Sequence, residues 1–212
     1  MKSMSKLRFQ HVRIVKQRGV VLFLALLAIV IMSLAAVALI RSVDTSTIIA
    51  GNLAFKRAAT SSGDAGGEAA ITWLTAQQVA NTARNVLTDT AHTFNITDAT
   101  RGYYSNVDPA LDLYADATWA AATAVPSVTD VSGNTVRYII QRMCRNANVA
   151  VQTADCLFSG AIVDTNGQNI PLPQDICDGP GCPAAGQTPQ IRITTRTIGP
   201  KNTISYLQAF VY

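Results

Sequence analysis

The hydrophobic pattern divides the chain into stretches with different periods. From Val20 to Ile40, 21 residues run with Ser33 as the only clearly polar member. As a helix rising about 1.5 Å per residue this segment reaches about 31 Å, close to the hydrocarbon core of a bilayer. It predicts a single membrane span. Further on, Ala65, Ala69, Trp73, Ala76 and Ala80 recur at steps of three and four, which puts them on one helical face able to pack on a sheet. The helix is expected to continue over 41–88. Gly51, Gly63, Gly66 and Gly67 fall inside it, each costing up to about 1 kcal/mol relative to Ala, so bends, a melted turn or a loop between two helices are expected there. Alternation of period two appears only later, at Val136, Tyr138 and Ile140 within 135–143 and at Ile191 and Ile193 within 190–197. Thr203 to Tyr212 alternates likewise after the turn residues Gly199-Pro200-Lys201-Asn202. The pattern predicts an α+β chain, a long N-terminal helix packed on a small antiparallel β-sheet, with 89–212 as the head.

Composition sharpens this reading. Hydrophobic residues are 49% of the 212 and charged residues 14%, against roughly 25% charged in an average soluble protein. That excludes a disordered chain. Lys2, Lys6, Arg8, Arg13, Lys16 and Arg18 sit before the span with no acid among them. Setting these six of the 17 basic residues aside leaves 11 against 13 acids, so the body carries minus two. The basic balance therefore belongs to the first 19 residues and does not predict a nucleic-acid-binding face; Lys56 and Arg57 read as solvated surface. Basic residues before a span stay in the cytoplasm, so everything after Ile40 is expected to face outward from the membrane, periplasmic or extracellular.

Three readings fit the first forty residues: a permanent anchor, a signal peptide cut at Ala36-Val37-Ala38, and a prepilin-type leader. The junction Gln17-Arg18-Gly19-Val20-Val21-Leu22-Phe23-Leu24, where a basic leader ends in Gly before an unbroken apolar run, resembles a type III leader. The resemblance implies that residues 1–19 are removed by prepilin peptidase, that Val20 becomes an N-methylated N-terminus, and that the helix is kept. Leu24 stands at the fifth mature position, where the family usually has Glu. A carboxylate inside an apolar bundle is costly unless paired, and in major pilins it is thought to meet the N-terminal amine of a neighbour. A subunit lacking it suits the top of a filament or an initiation complex, as does the K-type minor pseudopilin of type II secretion, which also lacks it.

The segments after the span carry a closer likeness. Arg41-Ser42, then Ala50-Gly51-Asn52, then Glu68-Ala69-Ala70, with a closing hairpin formed by Ile191 to Arg196 and Leu207 to Tyr212, resemble PilX-type minor pilins in content and order. The likeness covers about the first third of the mature chain and its last twenty-odd residues; 90–135 is not matched by motif. It implies a type IV pilin-like fold and a part in priming pilus assembly, with other minor pilins, major pilin and a tip adhesin as partners, and twitching motility downstream. Two alternatives remain: a K-type-like pseudopilin, and a static membrane-anchored periplasmic binding domain.

Cys144, Cys156, Cys177 and Cys182 are an even set beyond the membrane, which predicts disulfides in one of three connectivities. Short polar segments favour Cys144 with Cys156 and Cys177 with Cys182; a Cys-x4-Cys zinc site is the rival reading. No enzyme is expected, and no cofactor or metal. His11 lies in the leader and His92 reads as exposed or capping. Asp108, Asp112 and Asp116, spaced by four, could align on a helix beginning at Pro109 with Asp108 as its cap, as a solvated acidic face or a calcium site.

Overall fold

A computed structural model describes residues 19–120, 127–129, 133–160 and 163–212, with side chains other than those of 127–129 and 201. The basic residues Lys2 to Arg18 and His11 lie outside the described residues. The chain divides into two units, Met1–Asn52 and Leu53–Tyr212.

In the first unit the helix α1 (Val20–Ala80) begins. Its residues from Val20 to Ala50 are exposed all round, and the helix is long and apolar enough to cross a membrane. Hydroxyl side chains along it bond back to the preceding turn: Ser33 Oγ donates to the Ile29 carbonyl at 2.7 Å, and Thr45, Ser46 and Thr47 repeat the bond to Arg41, Ser42 and Val43. The one polar side chain in the apolar run is therefore satisfied within its own helix.

In the second unit the rest of α1 packs on a mixed sheet. Its strands are β1 (Tyr103–Tyr104), β2 (Ser127–Thr129), β3 (Thr135–Arg142), β4 (Ile191–Ile198) and β5 (Ile204–Val211). The order is β1-β3-β4-β5, with β2 also paired to β3. The β3, β4 and β5 ladder is antiparallel, as the alternation predicts, but β1 joins β3 in parallel, Tyr103 beside Ile140, so the sheet is not wholly antiparallel. β5 is an outer strand and holds no charged residue.

The glycines do not break α1. It is helical without interruption to Ala80, where turns begin, eight residues short of the expected 88. The buried face is also one residue out of phase with the alanine stripe: it comprises Ala59, Ser62, Gly63, Gly66, Ala70 and Leu74, while Ala65, Ala76 and Ala80 are exposed. Close approach explains the shift. A Cβ on Gly66 would lie 2.5 Å from Val136 Cγ1, and one on Gly63 would lie 3.3 Å from Thr195 Oγ1. The smallest side chains sit where helix and sheet are nearest.

Two apolar clusters lie on opposite faces of β3. Ala70, Leu74, Tyr103, Tyr138, Ile140 and Ile193 fill the space under α1, with Trp73 and Phe94 beside them. Tyr104, Trp119 and Ile139 pack on the far face with Leu111 and Leu113. Both faces being covered, β3 is buried continuously from Tyr138 to Arg142, and the simple half-buried alternation fails there.

Candidate functional site

Gly19, Val20 and Leu24 fall at the start of α1. Gly19 is exposed, with φ +119° and nothing within 4 Å of the position a Cβ would take. Its carbonyl accepts from the Phe23 N–H at 3.3 Å, so it is the residue from which the helix departs and Val20 is the first helical one. The positive φ favours glycine. Leu24 is 57% exposed on the same apolar helix, and no acid lies in the first turn.

The cysteines are joined as Cys144–Cys156 and Cys177–Cys182. The first pair ties the end of β3 to the residue that follows α2 (Val151–Ala154) and its flanking Asp155. The second closes a small loop that rests on the head: Asn85 Nδ2 donates to the Ile176 carbonyl at 2.8 Å, and Gln152 Nε2 donates to the Asp178 carbonyl. Gly181, at φ +88°, lies so near the Gln152 carbonyl that no Cβ fits. Among the described residues no three His, Cys, Asp or Glu come together as metal ligands.

The three aspartates do not share a helix: Asp116 alone opens a short 3-10 helix, Asp116–Trp119, and Asp108 and Asp112 lie outside it. Pro109 begins a turn, and Asp108 and Asp112 each accept the N–H two residues on, from Ala110 at 2.9 Å and Tyr114 at 2.8 Å. A carboxylate that captures a nearby N–H offers the backbone an alternative to helix. Asp116 instead pairs with Arg196, whose guanidinium lies 6.0 Å from the ring centroids of both Trp119 and Tyr206. That separation of roles removes the shared acidic face a calcium ion would need.

His92 is a buried cap, 2% exposed, its Nδ1 accepting from the Phe94 N–H at 3.1 Å. Burial holds its imidazole below the ordinary range, against the opposing pull of Asp89.

The strongest polar node, Arg142, does not stand out in the sequence. It is 2% exposed; Nε donates to the Ser105 carbonyl at 2.9 Å, Nη1 to Asn95 Oδ1, and Nη2 to the Val149 carbonyl at 3.0 Å. Asn95 in turn donates from Nδ2 to the carbonyls of Val86 and Asp89, both at 2.8 Å. Arg142 thus gathers three loops at the end of α1. The one available signal is its phase, since it continues the row Val136, Tyr138, Ile140 that faces the helix.

Comparison of the chain with protein-family models, with curated proteins and with solved structures gives no match.

Proposed function

We propose that the protein is a minor pilin of the PilX type that takes part in priming type IV pilus assembly, at the pilus tip with other minor pilins and a tip adhesin. The observation that carries this reading is the single helix Val20–Ala80, starting directly after Gly19, exposed and apolar at first and packed on the sheet in its later turns. After cleavage by prepilin peptidase the apolar stretch first anchors the protein in the inner membrane with its head in the periplasm. It then packs against the helices of neighbouring pilins, where Ala and Ser admit a close backbone. With Leu24 in the fifth mature position the subunit offers no carboxylate to a subunit above it, which favours the tip over the shaft.

The test is the N-terminal peptide of native protein from envelope fractions, read by mass spectrometry. N-methylated Val20 is expected. An intact leader would leave a fixed membrane protein, and cleavage after Ala38 a secreted domain; either would overturn the reading. Loss of pili on deletion, with type II secretion intact, then separates pilus from pseudopilus.

A further inference from the structure

Where α1 ends, the head has a cleft of about 490 Å³, within the range of small-molecule sites. Its walls are apolar, with Leu74, Val79, Phe94, Ile191 and Val211 among them, and Arg142 is also part of the lining. That arginine is 2% exposed, and its three nitrogens meet only neutral acceptors, two backbone carbonyls and the Asn95 amide oxygen. The ion pairs among the described residues are Arg84–Asp89, Arg101–Asp98, Arg145–Asp155 and Arg196–Asp116, so none supplies it with a carboxylate. A guanidinium has five N–H hydrogens, and these three bonds leave two, one on each Nη. A buried charge without a counter-charge is costly. An apolar cleft with such a charge in its wall complements a molecule that has an apolar body and one negative end.

We infer that the cleft binds a small apolar carboxylic acid, its hydrocarbon or aromatic part against Leu74, Phe94 and Ile191 and its carboxylate on the remaining Nη hydrogens of Arg142. The planar fork of arginine suits a carboxylate better than a point cation would. A neutral ligand of the same shape would leave the charge uncompensated, and a polyanion would have to strip its water against apolar walls. The inference stands apart from the pilin reading.

The experiment uses the full chain in lipid nanodiscs, with 4-phenylbutyrate and 4-phenylbutyramide as probes, isothermal titration as the readout and empty nanodiscs as the blank. The acid is expected to bind at least about tenfold more tightly than the amide. Substituting Arg142 would also release Asn95, Ser105 and Val149, so the variant is Val79→Asp, at a wall position 67% exposed. Its own carboxylate is expected to weaken the acid by a similar factor, with the near-ultraviolet circular dichroism unchanged. Equal affinity for acid and amide, no binding of the acid up to its solubility, or undiminished binding in Val79→Asp would each overturn the inference.

Discussion

Gly66 of α1 faces Val136 of β3 at a separation that leaves no room for a methyl group: a Cβ there would come within 2.5 Å of the valine Cγ1 and 3.1 Å of Thr195 Cγ2. Its neighbour Gly67 has nothing within 4 Å. The two glycines therefore test packing against propensity in one helix turn. Gly66→Ala is expected to destabilise the head by about 1–3 kcal/mol through overpacking, after whatever the helix gains. Gly67→Ala is expected to stabilise it by up to about 1 kcal/mol. Thermal unfolding followed by near-ultraviolet circular dichroism reads both, and a Gly66→Ala protein as stable as the parent would contradict the close contact.

Gly19 combines a positive φ with the junction expected for prepilin peptidase. Valine there is strained and branched. Gly19→Val is expected to leave full-length protein in the membrane, detected as a band heavier by the leader. Normal processing of the variant would count against the leader.

The two disulfides close loops of sequence separation 12 and 5. In the chain-entropy treatment these correspond to about 3 and about 2 kcal/mol, so loss of the Cys144–Cys156 pair is the more damaging. Paired Ser substitutions at 144 and 156, compared with the same change at 177 and 182, should show that order in denaturant midpoints. Native protein should also weigh about 4 Da less than its reduced form, two hydrogens per bond.

His92 gives the head a dependence on acid. Its neutral ring accepts the Phe94 N–H, and burial depresses its folded pKa below the unfolded value of about 6.5. The unfolded chain therefore binds the proton first. The full contribution is present above about pH 6.5 and is lost as pH falls from there through the folded pKa. Asp89, which favours the charged ring, and Arg84 and Arg142, which oppose it, face the same imidazole. Melting temperature is expected to fall on acidification over that window, and His92→Asn, which keeps an acceptor for the cap, is expected to flatten the slope.

The three long strands were legible because each is bounded by turn residues and alternates over enough positions. Thr135–Arg142, Ile191–Ile198 and Ile204–Val211 lie within a residue or so of their expected spans. The helix was legible in type but not in phase. Alanine signals a packing face only when contact is at ordinary distance; here the contact is tighter and selects Ser62, Gly63 and Gly66. β1 is two residues long, too short for any period to register, and its parallel pairing depends on a partner nearly forty positions away. Asp108 to Asp116 misled through spacing, because four-residue repeats mean a helical face only if the intervening N–H groups are not taken by those same side chains. Arg142 was hidden by the usual rule that arginine is surface, which fails where loops supply enough carbonyls.

The helix face built around Gly63 and Gly66 meets Val136 of β3, Thr195 and Thr197 of β4 and Leu207 of β5, so the first-made part of the head waits for the last. During synthesis, residues 53–80 emerge more than a hundred positions ahead of β4. Contacts so distant in sequence form slowly, since the intervening chain must be closed first. Until then the glycine-lined face lies open. The order of manufacture makes the final hairpin the step that commits the head to its fold, and places the interval of greatest exposure to proteases and misassembly just before it.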